Sequence, residues 1–415
     1  MDTKRKLQAL AAAAFSLPGL ALPAFADAGD TPDSVPPPTM INDSQTDSGS
    51  DFEFGYRFHR YSEDALGPIQ TGNFNGDSTD RYEIRANQFN LAAQVNDSLS
   101  LNVAYQHENM AGASPWFTLK NAAGKVTQVM TGASISDSRK DIQVSGAYEH
   151  ENLIYGLSAA ASDEDDYDSL SFGASFAVDF DQRLSTFALS ADFSNDDVEP
   201  SDSDEFTNRI ISAGKHSSSV LASFSRVINK NSLLQLSFGY TTQSGFLSDP
   251  YKQVFVDFSL QNDHRPDSRI NRTYSARYRY YVDATDGAFR ADYRYYRDSW
   301  EIKSHTLDLS FDQPLGWGIR LIPAVRYYHQ DASFFYQHFY ETARADGFQS
   351  TDYRLSAYGA ETYSLTLQKA FKSFTLHLKA QTYRSGRNKG FARHEEANPS
   401  LLDFDLISVG FDYRF

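Results

Sequence analysis

Cysteine is absent from all 415 residues, which removes disulfide scaffolds, thiol nucleophiles and Cys-ligated metals or clusters together. Basic charge is in deficit: 38 Lys and Arg stand against 54 Asp and Glu, for a formal net charge of -16. A chain this acidic has no basic face with which to hold phosphate, so nucleic acid is excluded as a partner. Beyond the first 26 residues no apolar run approaches the roughly 18 needed for a spanning helix, and mean hydropathy is -0.51. A bundle of transmembrane helices is thereby excluded. Tryptophan and methionine are scarce, at 3 and 4, yet Tyr and Phe number 25 and 31. That aromatic load in so polar a chain needs a surface to occupy.

The N-terminus carries an address. Lys4, Arg5 and Lys6 precede an apolar stretch from Leu7 to Leu22, and Ala24-Phe25-Ala26 supplies small residues at a cleavage site. The pattern predicts a signal peptide over residues 1–26, cut after Ala26, and hence export. Residues 27–50 are rich in Asp, Ser, Thr and Pro and bury too little to order themselves, so a disordered periplasmic tail is expected there.

From Asp51 onward the period is two. Phe52, Phe54, Tyr56 and Phe58 alternate with polar residues, as do Leu99, Leu101, Val103 and Tyr105, and as do Leu234, Leu236, Phe238 and Tyr240. Alternation puts the apolar set on one strand face and the polar set on the other. About sixteen such runs are present, near 51–61, 81–95, 99–108, 139–149, 153–162, 168–180, 184–194, 216–228, 232–242, 272–283, 288–298, 302–312, 318–329, 354–369, 373–384 and 401–415. Short turns alternate with long connections between them. That rhythm predicts an all-β fold: a transmembrane antiparallel β-barrel over residues 51–415, with short periplasmic turns and long extracellular loops. A secreted propeller or sandwich would instead show a repeat of about 40–50 residues, which the sequence lacks. The last strand ends on Phe411, Tyr413 and Phe415, in phase with Ile407 and Val409. This is similar to the C-terminal assembly signal of bacterial outer-membrane barrels, so the barrel-assembly machinery is an expected partner.

Several stretches resemble a family of Gram-negative outer-membrane barrels known only as a domain of unknown function. The clearest runs from His264 to Gly316, HRPDSRINRTYSARYRYYVDATDGAFRADYRYYRDSWEIKSHTLDLSFDQPLG; Ser244–Lys252, Asp163–Phe176 and the leader KLQALAAAAFSLPGLA add to it. The likeness spans almost the whole chain. It implies an outer-membrane barrel, often encoded near a flavin transferase and a small lipoprotein, and it brings no functional residues with it.

Period two also nominates a lumen wall. If Tyr274, Ala276, Tyr278 and Tyr280 face lipid, Arg277 and Arg279 face inward. The same logic sends Arg290, Asp292, Arg294, Asp308, Asp312, Arg320 and Arg326 inward from the next three strands. An arginine excess opposed by aspartates makes a wall that favours anions; paired with one another, the same charges merely brace it. The acidic runs Asp163, Glu164, Asp165, Asp166, Asp168 and Asp196, Asp197, Glu199 are candidate loop contacts for divalent cations or lipopolysaccharide, although they fit no ordered cation loop and also read as solvated charge. Phe334, Phe335, Tyr336, Phe339 and Tyr340 form an aromatic loop able to narrow the pore if it folds inward. His329 and His338, nine apart with no ordered scaffold, do not make a metal site. No nucleotide loop, catalytic triad order or zinc-protease motif occurs. The sequence therefore points to a porin-like channel, or the pore component of an export or uptake system, without enzyme activity or a cofactor. A sealed scaffold that holds a periplasmic or surface lipoprotein or redox partner is the alternative, and a barrel enzyme is a third, less favoured reading.

Overall fold

The structure, a computed structural model, describes residues 52–415 apart from 67–80, 132–134, 205 and 207. The expected leader, its cut after Ala26 and the tail at 27–50 lie outside the described residues. Twenty strands form: β1 (Phe52–Glu63), β2 (Glu83–Gln94), β3 (Leu99–Gly112), β4 (Pro115–Lys120), β5 (Val126–Met130), β6 (Ile135–His150), β7 (Leu153–Asp163), β8 (Tyr167–Phe180), β9 (Ser185–Val198), β10 (Ala213–Asn229), β11 (Ser232–Gly245), β12 (Gln253–Val256), β13 (Ser259–Asn262), β14 (Ser268–Val282), β15 (Gly287–Asp298), β16 (Lys303–Gly316), β17 (Ile319–Gln330), β18 (Tyr358–Ala370), β19 (Phe374–Gly386) and β20 (Phe404–Arg414). Sixteen of them close into one antiparallel barrel, while β4–β5 and β12–β13 are two-stranded hairpins inside long connections.

The sixteen expected strands are the sixteen barrel strands. Several boundaries shift by up to four residues: β6 begins at Ile135 rather than 139, β14 at Ser268 rather than 272, β3, β9 and β16 each run four residues further, and β18 begins at Tyr358, after a short 3-10 turn at Tyr353–Leu355. Closure is made by β1 on β20, in register from Glu53↔Arg414 to Glu63↔Phe404. It leaves the sixteen-stranded sheet no free edge, the condition for burying backbone polar groups in lipid.

The outer face is the apolar one. Val144, Leu157, Leu189, Val220, Leu236, Leu365, Leu378 and Val409 are all exposed on it, midway along their strands. Phe52, Phe180, Phe371, Tyr413 and Phe415 are exposed towards the short-turn end, where a lipid interface takes an aromatic girdle. Polar residues face the interior. This inversion of a soluble barrel is what a membrane-spanning barrel requires, and strands of 11 to 17 residues meet or exceed the roughly 9–11 needed to cross. Buried apolar packing gathers at the long-loop end, where Leu247, Trp300, Ile302, Phe335 and Leu355 form a cluster.

Candidate functional site

Strands β14 to β17 carry the arginine wall, and its charges are paired. Arg279 holds Asp292 with both guanidinium nitrogens, one of them at 2.9 Å. Arg326 donates to Asp308 at 2.6 Å, and Arg290 and Arg320 both reach Asp312 at 3.2 Å. Arg294 lies 3.4 Å from the Thr306 hydroxyl. Arg277 sits opposite Asp292 in the β14–β15 register and makes no ion pair or hydrogen bond among the described residues. The pairing arises from antiparallel register: inward positions on adjacent strands sit side by side, so opposite charges there meet. Bracing therefore holds for much of the wall. Even so, Arg279, Asp292, Arg326 and Asp308 remain 31–36% exposed within the barrel, so water reaches them.

Elsewhere around the barrel the lining changes sign and size. Strands β6 to β9, which precede β10 and β11 in the barrel order, turn inward Asp141, Asp179, Asp192 and Asp196 among Ser158, Ser171 and Ser190. An arginine-rich sector and an acidic sector therefore share one lumen. The closing seam adds a third group: Arg57 and His377 converge on Asp412 at 2.8 and 2.6 Å, and Arg414 pairs with Glu53 at 2.7 Å.

The acidic runs divide by parity. Asp163, Asp165, Asp168, Asp197 and Glu199 are exposed, whereas Asp196 is buried and accepts from Ser169 at 2.7 Å and from Ser194. Glu164 and Asp166 turn inward to meet Asp137, and one oxygen of each of the three lies within 4.8 Å of the others. Asp137 sits on the part of β6 that the sequence pattern missed. Hard cations favour such oxygens, but these already have partners: Arg139 lies 3.2 Å from Glu164, Tyr251 donates to Asp166 and Ser138 donates its backbone N–H to Asp137 at 2.7 Å. Burial, opposed by Arg139, lifts the Glu164 carboxyl to about 9.

The long connections do fold inward, and they interlock over one mouth. Residues 113–131 leave the barrel between its third and fourth strands, 246–267 between the ninth and tenth, and 331–357 between the thirteenth and fourteenth. Bonds between them cross the opening. Lys252 donates to the Pro115 carbonyl at 2.9 Å and Thr118 to the His338 carbonyl at 2.6 Å. His264 and Gln349 exchange backbone hydrogen bonds of 2.9 and 2.8 Å. Ser400, between β19 and β20, donates to Gln128.

At the centre lies a balanced charge knot. Arg265 pairs with Asp263 at 2.7 Å and Asp352 at 2.9 Å, all three side chains having no exposed area. Arg354 joins Asp352 to Asp249, the latter at 2.7 Å. Burial alone would raise the Asp352 carboxyl; Arg354, Lys252 and Arg265 hold it well below the usual range instead. Lys252 is pushed down by burial against the pull of Asp352 and Asp249. Around the knot, Trp300 packs edge-on to Phe335 at 5.3 Å, with Arg269 over its ring at 4.3 Å. Phe335 and Tyr340 of the aromatic loop are buried here, so that loop is part of the cap.

The C-terminal aromatics lie at the seam. Phe415 stacks on Phe52 at 5.6 Å, and Phe411 packs on Phe374 at 5.1 Å and on Phe54 at 6.0 Å.

Solved structures with a similar course include a bacterial polysaccharide outer membrane secretin, 8% identical with a TM-score of 0.48, covering 89% of this chain and 100% of that one. CdiB from Acinetobacter baumannii is 7% identical with a TM-score of 0.49, covering 88% of this chain and 60% of that one. The outer membrane protein opdK from Pseudomonas aeruginosa is 10% identical with a TM-score of 0.39, covering 88% and 98%. No curated protein matches the sequence. The family described as "Protein of unknown function (DUF3570)" matches residues 7–401, and this chain is a member of it.

Proposed function

We propose that the exported chain forms an outer-membrane barrel acting as a porin-like conduit, or as the pore component of an export or uptake system, with its extracellular mouth shut by the loop cap. One observation carries this reading: a charged, water-reached lumen wall lies beneath a dry cap. A barrel meant only as a support has no need for exposed Arg and Asp inside it, since filling that volume with apolar side chains is at least as stabilising. The arginine excess on β14–β17 favours anions, while the aspartates of β6–β9 line another sector of the same lumen. In this reading Arg277, Arg279, Arg290, Asp292, Arg294, Asp308, Arg320 and Arg326 set selectivity. The exposed acids Asp163, Asp165, Asp168, Asp197 and Glu199 meet lipopolysaccharide and its cations, and Phe411, Tyr413 and Phe415 serve assembly. No catalytic role or cofactor is assigned.

The cap itself favours a second reading, a sealed scaffold that holds a periplasmic lipoprotein. Single-channel recording of the refolded barrel in a planar bilayer separates the two. The conduit predicts discrete steps, more frequent or larger once the cap is loosened by Asp352→Ala. A folded barrel silent in both forms, with a lipoprotein that co-purifies, supports the scaffold.

A further inference from the structure

Three histidines far apart in sequence meet on the outer surface at the loop end of the barrel. His305 at the start of β16 faces His329 near the end of β17 in register, with ring centroids 6.3 Å apart. His394, from the connection between β19 and β20, lies 5.1 Å from His329 with nearly parallel planes. Two nitrogens in this group are buried without any hydrogen-bond partner, His329 Nδ1 and His394 Nε2. Buried polar atoms are almost always satisfied, so two adjacent orphans on touching rings ask for a shared partner. The remaining groups resemble the surroundings of a ligand set. The His305 Nδ1 is 2.7 Å from the Tyr293 hydroxyl, a contact that fixes the ring and leaves Nε2 for another partner. An Asp331 oxygen lies 3.5 Å from His329 Nε2.

From this group we infer that His305, His329 and His394, with Asp331 as a carboxylate neighbour, form a binding site for a divalent transition-metal ion of the Zn²⁺, Cu²⁺ or Ni²⁺ class. Imidazole nitrogens suit these ions and disfavour Ca²⁺ or Mg²⁺. A metal–nitrogen bond of about 2.0 Å places two rings sharing one tetrahedral ion roughly 5 Å apart between centroids, the spacing seen for His329 and His394. Their stacked planes must turn about the Cβ–Cγ bonds to aim both nitrogens at the ion, and His305 must approach by about 1 Å. The rings stand at a partly exposed rim, with His329 22% exposed, so both the ion and the ring rotation have room. Binding would pin the β19–β20 connection to β16 and β17. The inference does not depend on whether the lumen conducts.

The test uses tag-free full-length barrel in detergent, titrated calorimetrically with Zn²⁺. One ion per chain is expected, with affinity reduced at least tenfold in His329→Ala and in His394→Ala and unchanged in His216→Asn, a control on the exposed face of β10. Wild-type affinity retained in both variants, or no Zn²⁺ binding at all, overturns the assignment. Electron paramagnetic resonance of Cu²⁺ on the unmodified protein gives a readout free of folding effects: superhyperfine splitting from two or three imidazole nitrogens supports the site, and an oxygen-only spectrum refutes it.

Discussion

Arg265 donates to Asp352 across 87 positions of sequence at 2.9 Å, with neither side chain in contact with solvent. The bond ties the connection after β11 to the connection after β17, and it is the centre of the cap. Removing one member of a buried pair strands the other charge, at a cost of about 3–5 kcal/mol. Asp352→Ala leaves both Arg265 and Arg354 short of a partner and should loosen the cap without dissolving the barrel. Limited proteolysis of the folded protein should then cut within 331–357 far faster than in the wild type. The double change Arg265→Met with Asp352→Leu should not restore the resistance, because it also takes Arg265 from the buried Asp263 and Asp352 from Arg354.

Selectivity should follow the wall arginines. Arg277→Glu, Arg290→Glu and Arg326→Glu each change the local charge by two, and the last two also deprive Asp312 and Asp308 of a partner. Reversal potentials across a salt gradient should shift towards cations, most in the triple variant. An unshifted potential in a conducting triple variant would remove these residues from any role in selectivity.

Glu164 should make stability depend on pH. Burial lifts its folded-state carboxyl from 4.5 to about 9. The folded state therefore holds this proton more tightly than the unfolded one, and the stabilisation is complete below pH 4.5. It is lost progressively as pH rises through the interval to about 9. Urea unfolding across that range should give a falling midpoint for the wild type and a flatter profile for Glu164→Gln, which needs no proton. Identical slopes would contradict the assignment.

The terminal aromatic should matter more for assembly than for the finished barrel. Phe415 stacks on Phe52 and exchanges backbone hydrogen bonds with it at 3.1 and 3.3 Å, yet its side chain remains exposed on the outer face. Deleting Phe415 should lower the heat-modifiable, folded fraction in outer membranes several-fold while refolding in detergent stays close to wild type. Equal losses in both settings would make the residue structural.

The barrel was legible because period two is a local signal, repeated sixteen times, and every side chain's face follows from its parity. The arginine wall was legible for the same reason, and its pairing followed once register was known: Arg279 meets Asp292 because β14 and β15 run side by side. The cap was legible only in its aromatic loop, Phe334–Tyr340, and not in the contacts that lock it. Lys252 and Pro115, or Thr118 and His338, belong to connections without periodicity, and only closure of the barrel brings them over one mouth. The short pairs β4–β5 and β12–β13 escaped for a related reason, being too brief for alternation to register. Asp137 was missed because its strand begins four residues earlier than the apolar pattern indicates. His329 was singled out with His338, its sequence neighbour; its companions are His305 and His394, which the barrel supplies.

The meeting of Phe52 with Phe415 also makes the barrel a ring in the chemical sense. Each residue's backbone N–H donates to the other's carbonyl, so with the residues before Phe52 removed a short peptide joining the two would distort little. New ends opened at another short turn, such as Asn229–Asn231, would yield a circular permutant with every strand keeping its neighbours. In that molecule Phe415 keeps its place in the wall but no longer ends the chain. Its contribution to the folded seam and its reading by assembly factors would then be separated in one protein.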